Sequence, residues 1–138
     1  MNFTELKEFL DEKVVLYNNK NFIDSDPVQI PHLYSQKEDI EIAGFLAATI
    51  AWGNRKMIIN NSHKLMQIMG NSPYDFVMNH KEIHLEKLSN FVHRTFNATD
   101  AVTFIKALHH IYKTNPDLES IFSKHIENNS TQKSISEF

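Results

Sequence analysis

The stretch Asp39-Ile40-Glu41-Ile42-Ala43-Gly44-Phe45-Leu46-Ala47-Ala48-Thr49-Ile50-Ala51-Trp52-Gly53-Asn54-Arg55 constrains the fold more than any other part of the chain. It is an apolar segment rich in small residues that ends in Trp-Gly and passes at once into a polar, cationic Asn-Arg. Alanines and a glycine inside a helix let a neighbour approach closely, so the pattern predicts a buried central helix over about Glu38 to Trp52. Gly53 suits a left-handed C-cap, and Asn54 suits the N-cap of the next helix. Two helices then meet at a short corner bearing an aromatic ring, an amide and a guanidinium. Function is expected at that corner.

The 138 residues suit one domain, 1–138, with a sizeable core, and 41% hydrophobic with 22% charged residues is ordinary globular composition. There is no cysteine, which excludes disulfides and thiolate metal sites. Met1-Asn2-Phe3-Thr4-Glu5 has neither a basic nor an apolar leader region, and no apolar run reaches membrane-spanning length. A cytoplasmic location and no membrane partner are therefore expected. The net charge of −3 exerts no general pull on nucleic acid. It is unevenly spread, however. Residues 1–52 hold nine acids against four lysines, a balance of −5, whereas residues 53–138 hold ten bases against eight acids, a balance of +2. The asymmetry permits a local cationic face in the second part.

Nearly every segment reads as helix, so the fold class is all-α, a single orthogonally packed multihelical domain. Phe3, Leu6, Leu10, Val14 and Tyr17 trace one face of a first helix, opened by a capping box from Asn2 to Glu5. A long connection, 21–37, follows, and its length suggests a functional loop or an extended strap. Beyond the corner, a helix is predicted from Arg55 to Met69, closed by Gly70. Ser72-Pro73-Tyr74-Asp75 starts another, and His80 to Phe96 reads as short helical turns. Thr99-Asp100 opens a helix through Tyr112, and Asn115-Pro116-Asp117 caps one more. Residues 130–138 read as the start of a helix that is cut off, so the chain is expected to be the N-terminal part of a longer protein.

Several clusters could carry chemistry. His80 and His84, at i and i+4, would share a helix face, but no third ligand is evident, so no metal site is expected there. His109 and His110 are adjacent on a helix and diverge, one toward the core and one toward solvent. Acidic pairs at Glu38/Asp39 and Asp117/Glu119 fit first helical turns, where the dipole favours negative charge. No glycine-rich phosphate loop and no nucleophile turn occurs, so neither a cofactor nor a catalytic residue is assigned. Phe91-Val92-His93-Arg94-Thr95-Phe96-Asn97 sets an arginine between aromatics. That arginine can meet a phosphate or a base, or it can tie two segments together through a carboxylate such as Asp100.

Asp26-Pro27, Tyr34, Asp39-x-Glu41, the helix from Phe45-Leu46-Ala47-Ala48 to Ala51-Trp52-Gly53, Ser72-Pro73-Tyr74-Asp75-Phe76 and Phe91-x-x-Arg94-x-Phe96…Asp100 resemble a bacterial family of unassigned function, domain of unknown function 2400. The likeness spans most of the chain and the N-terminal part of the family's longer pattern. The central helix and its corner also resemble the start of the helix-hairpin-helix DNA glycosylase fold. That likeness implies Asn54 as an amide probing damaged DNA and Arg55 as a phosphate contact, and Trp52 and Arg94 are expected to face the nucleic acid with them. Trp52-Gly53-Asn54-Arg55 departs from the Gln-rich corner of that fold, and the phosphate-binding hairpin and catalytic Asp are absent. The chain is thus expected to be an N-terminal helical part of a DNA-glycosylase-like protein, not catalytically competent alone. Its partners would be duplex DNA and a C-terminal part of the same protein. The alternative is a non-catalytic α-helical protein-interaction module, self-associating through exposed apolar surface.

Overall fold

The computed structural model describes residues 1–124 and 126, and among them the protein is all-α. The α-helices are α1 (Phe3–Tyr17), α2 (Lys20–Ile23), α3 (Lys37–Thr49), α4 (Arg55–Ile68), α5 (Pro73–Asn79), α6 (Glu82–Leu85), α7 (Ala98–Thr114) and α8 (Leu118–Ser123). Three 3₁₀ turns lie at Pro27–Gln29, Pro31–Leu33 and Glu86–Leu88. None of the described helices is long and apolar enough to cross a membrane. The expected helix start at 130–138 lies outside the described residues.

Local chemistry sets most boundaries. Asn2 and Glu5 form the reciprocal capping box of α1, each bond 2.9 Å long. Asn97 and Asp100 do the same for α7. At the end of α4, Gly70 takes φ +70°, and the Asn71 N–H donates to the Met66 carbonyl at 2.9 Å, closing a Schellman motif. The long connection read over 21–37 is compact. The α2 turn and two proline-initiated 3₁₀ turns fold it onto α3, with Ile30 wholly buried. Pro27 and Pro31 each sit at a first turn position, where a missing N–H costs nothing.

The central helix α3 buries Ile42, Ala43, Leu46 and Ala47, and contacts the proline turns, α4 and α5. Its partners bring Leu65, Met66, Val77, Phe91, Ile105 and Leu108 into one core. α1 behaves differently: it buries no residue, and its stripe of Phe3, Leu6, Phe9, Leu10, Val14 and Tyr17 is exposed.

Two carboxylates of α3 reach into the starts of other helices. Asp39 accepts from the Tyr74 N–H at 2.8 Å, in place of a cap by the Ser72 side chain, which makes no such bond. Glu41 accepts from the Tyr112 hydroxyl at 2.7 Å, the Leu118 N–H at 2.9 Å and the Glu119 N–H at 3.2 Å. Orphan N–H groups of a helix start thereby gain charged acceptors. Lys37 braces the same junction, donating to Asp117 at 2.7 Å and Glu119 at 2.6 Å. Burial and the Glu41 carboxylate push the Tyr112 phenol far above its ordinary range. Asp39 thus sits in the first turn of α3 as expected and also serves the start of α5, Glu41 serves the start of α8, and Asp117 caps α8 itself.

Glu41→Ala strands three donors at once and should lower stability by about 2–3 kcal/mol, with Glu41→Gln losing less. Equal urea midpoints for wild type and Glu41→Ala would remove this clamp from the account of stability. The pH dependence has a definite sign. The Lys37 ammonium, aided by the Ser120 N–H, holds the Asp117 carboxyl below its ordinary value. Its stabilisation of α8 is therefore full above the usual carboxylate range and is lost as pH falls through the lowered value. The Ser120 amide, 2.7 Å from Asp117 Oδ1, should report that titration in its NMR shift.

Candidate functional site

The corner between α3 and α4 is shaped by an early helix end. α3 stops at Thr49, with Ile50 as its C-cap, three residues before the expected glycine. Ile50 is fully buried with φ −99° and ψ 11°, and the Trp52 N–H turns back to the Ile50 carbonyl at 2.8 Å. Gly53 does adopt a left-handed φ of +105°, but in the connecting loop rather than as the cap. Asn54 caps α4 as expected, its Oδ1 accepting from the Met57 N–H at 3.2 Å. One lone pair of that oxygen is thereby used, and the amide nitrogen and the second lone pair can still meet a ligand.

The fold brings a second segment to this corner. Phe91 and Phe96 are buried in edge-to-face contact, centroids 6.2 Å apart. Between them, His93 and Phe96 exchange backbone hydrogen bonds at 2.8 and 2.9 Å, leaving Arg94-Thr95 as a two-residue turn. Arg94 takes φ +55° there, a conformation such turns usually give to glycine or asparagine. Its side chain lies across Gly53: a Cβ added to that glycine would stand 3.0 Å from Arg94 Nη1 and 3.1 Å from Cδ. Gly53 is needed both for its backbone angle and for this seat.

Arg55 and Arg94 are the chain's two arginines, and both stand beside Gly53. Among the described residues neither has a carboxylate partner. Asp100, a possible partner for Arg94, is engaged by the Asn97 N–H at 2.9 Å. Arg55 lies 6.0 Å from the Phe22 ring centroid, within cation–π range. The first turn of α4 holds Arg55 and Lys56 and no acid. Positive side chains at the positive end of a helix are electrostatically opposed, a strain that an incoming anion relieves. Trp52 is 37% exposed beside them, its ring edge-on to His93 at 5.3 Å.

Alongside the corner lies a cavity of about 480 Å³. Its floor is the small-residue face of α3 and its exit, Gly44, Ala48 and Ala51, its far wall is Asp26, Pro27 and Pro31, and Arg55 borders it. The small residues here therefore do not only serve close helix packing, because Ala48 and Ala51 are solvent-exposed.

The histidines are arranged differently from their sequence spacing. His80 is the C-cap of α5 and His84 lies in α6, so they share no helix face. Both rings rest on Phe76 instead, at 6.1 and 6.3 Å. His109 is half-buried and donates to the Val77 carbonyl at 2.8 Å, while His110 is exposed. Among the described residues, carboxylate oxygens of Glu41, Asp117 and Glu119 lie within 4.8 Å of one another, and the Lys37 ammonium already supplies the cation there.

Sequence reasoning named Trp52, Asn54, Arg55 and Arg94, and the structure gathers all four. It missed His93, Asn61 and Phe22, whose roles depend on contacts between distant segments. A cue for His93 existed in its central place between Phe91 and Phe96.

Over residues 26–138 the chain matches the family described as Protein of unknown function (DUF2400). No curated protein and no solved structure matches it. The chain belongs to the DUF2400 family, and α1 precedes the matched region.

Gly53→Ala should cost about 1–2 kcal/mol through its left-handed backbone. Arg94→Gly should be neutral or up to about 1 kcal/mol stabilising, because it relieves a left-handed residue. Thermal melts check both. A large loss from Arg94→Gly would mean that the arginine is there for the fold.

Proposed function

Since membership of this family brings no activity with it, we propose from the geometry that the corner is a DNA-backbone contact surface. The chain would be the N-terminal helical part of a DNA-glycosylase-like protein, lining one wall of a DNA-binding cleft. One observation carries the reading: both arginines, without carboxylate partners among the described residues, stand at one exposed turn beside a tryptophan. Guanidinium forks match phosphate oxygens, and an exposed indole offers a face on which a base can stack. The cavity beside Arg55 has the size of a small-ligand pocket, enough for an unstacked nucleotide. In this reading Asn54 contributes through its side-chain amide and through fixing the start of α4. Catalysis would need residues other than these four.

A second reading, a non-catalytic protein-interaction module, draws on α1 and its exposed apolar stripe. It shares no residue with the corner, so the two separate cleanly.

Titration of the chain against fluorescent duplex DNA between about 50 and 200 mM salt should give affinity that falls steeply with salt. Arg55→Ala with Arg94→Ala should weaken binding and reduce the log–log salt slope by about 2, near 0.9 for each phosphate that is no longer neutralised. No binding at low salt, or an unchanged slope in the double variant, would reject the corner. Loss of self-association on Leu10→Glu, with DNA binding untouched, would favour the interaction module.

A further inference from the structure

His93 is a buried polar side chain that the proposed DNA contacts do not use. It is 1% exposed, and both ring nitrogens are engaged. Nε2 lies 3.1 Å from the Trp52 carbonyl oxygen and Nδ1 lies 2.9 Å from Asn61 Nδ2. A carbonyl only accepts, so the hydrogen on the Trp52 side belongs to Nε2. Nδ1 then presents a lone pair, which accepts from the Asn61 amide. The tautomer is fixed by its two neighbours.

These bonds tie the Arg94 turn to two elements more than 30 residues earlier in the chain, the exit of α3 and the interior of α4. The Trp52 carbonyl belongs to the peptide that enters Gly53, so the His93 bond sets the plane from which the φ of +105° departs. Arg94, the next residue in the chain, is seated on that same glycine. Asn61 lies nearly two helical turns beyond Arg55 on α4 and thereby ties the ring to the helix that carries the other arginine.

We propose that His93 is a positioning residue of the corner. Held by Asn61 and donating to the Trp52 carbonyl, it fixes the Trp52–Gly53 peptide and with it the spacing of Arg55 and Arg94. It touches no ligand itself. Its purpose rests on the DNA-binding reading, but its action on the corner is open to measurement without DNA.

Trp52 is the chain's single tryptophan, so intrinsic fluorescence anisotropy reads the corner directly. The series is wild type, His93→Gln, His93→Leu and Asn61→Leu, each with a far-UV circular dichroism melt and a duplex DNA titration. His93→Gln restores an N–H near the place of Nε2. It should keep wild-type anisotropy and DNA affinity within about twofold, whereas His93→Leu should lower the anisotropy and weaken DNA binding about tenfold, the scale of one lost buried hydrogen bond. Helix content should be equal in the two. Wild-type anisotropy in His93→Leu, or a glutamine variant no better than the leucine one, overturns the proposal. If His93→Leu does not fold, Asn61→Leu decides: the ring loses its tether and Trp52 anisotropy should fall, and an unchanged value overturns the proposal. Absence of DNA binding by the wild type rejects the DNA reading alone, and the anisotropy series still judges His93.

Discussion

The carboxylates of α3 hold the described domain together in a way that apolar packing alone does not. Asp39 reaches the start of α5, and Glu41 reaches the start of α8 while accepting from Tyr112 of α7. Hydrophobic burial is non-directional and would let these short helices slide or rotate against α3. A charged acceptor aimed at particular N–H groups removes that freedom, since an unmet donor near the core is expensive. α5 and α8 have seven and six residues, too short to be stable alone, so their existence depends on these docking points. Lys37, on the first turn of α3, balances the negative charge gathered there.

The opposite end of α3 follows another logic. Its exit and the start of α4 concentrate features that local stability would avoid: a left-handed arginine, cations at the positive end of a helix, an exposed tryptophan and exposed alanines. In most of the other described helices, charges agree with the dipole. α1, α3, α5, α6, α7 and α8 each carry an acid in the first turn, whereas α4, one of the longest, carries none. Departures from local consistency that cluster at one place point to a site rather than to scattered noise. The buried imidazole of His93 beneath the corner is what allows such an arrangement to keep one geometry.

Much of the fold was legible because its signals are short-range. Asn2/Glu5 and Asn54 declared their helices, as did Pro73 at a first helical position and Gly70 just past a last one. Elements whose ends depend on distant partners were not legible. α3 ends at Thr49 with Ile50 as its cap, three residues before the glycine that signals a helix end in the sequence. The 21–37 connection read as a functional loop or an extended strap, and no local signal announced that its prolines begin 3₁₀ turns that pack on α3. His80 and His84 looked like one helical face, but α5 ends at Asn79 and a new helix begins at Glu82. The candidate site was half legible. Trp52, Asn54 and Arg55 form one contiguous motif, whereas their neighbour Arg94 joins them through the Gly53 seat and the His93–Trp52 hydrogen bond, contacts that no local pattern announces.

The amino-acid sequence by itself determined an all-α protein with most of its helix starts, and the residue types of the corner. Those properties follow from backbone hydrogen-bond needs and side-chain periodicity within a few residues. Tertiary structure alone decided that Glu41 serves a helix start more than 70 residues away, that Arg94 settles on Gly53, and that His93 donates to Trp52. Each of these joins groups far apart in the chain, and their meeting is set by how the core packs, a property of all the side chains together rather than of any local pattern.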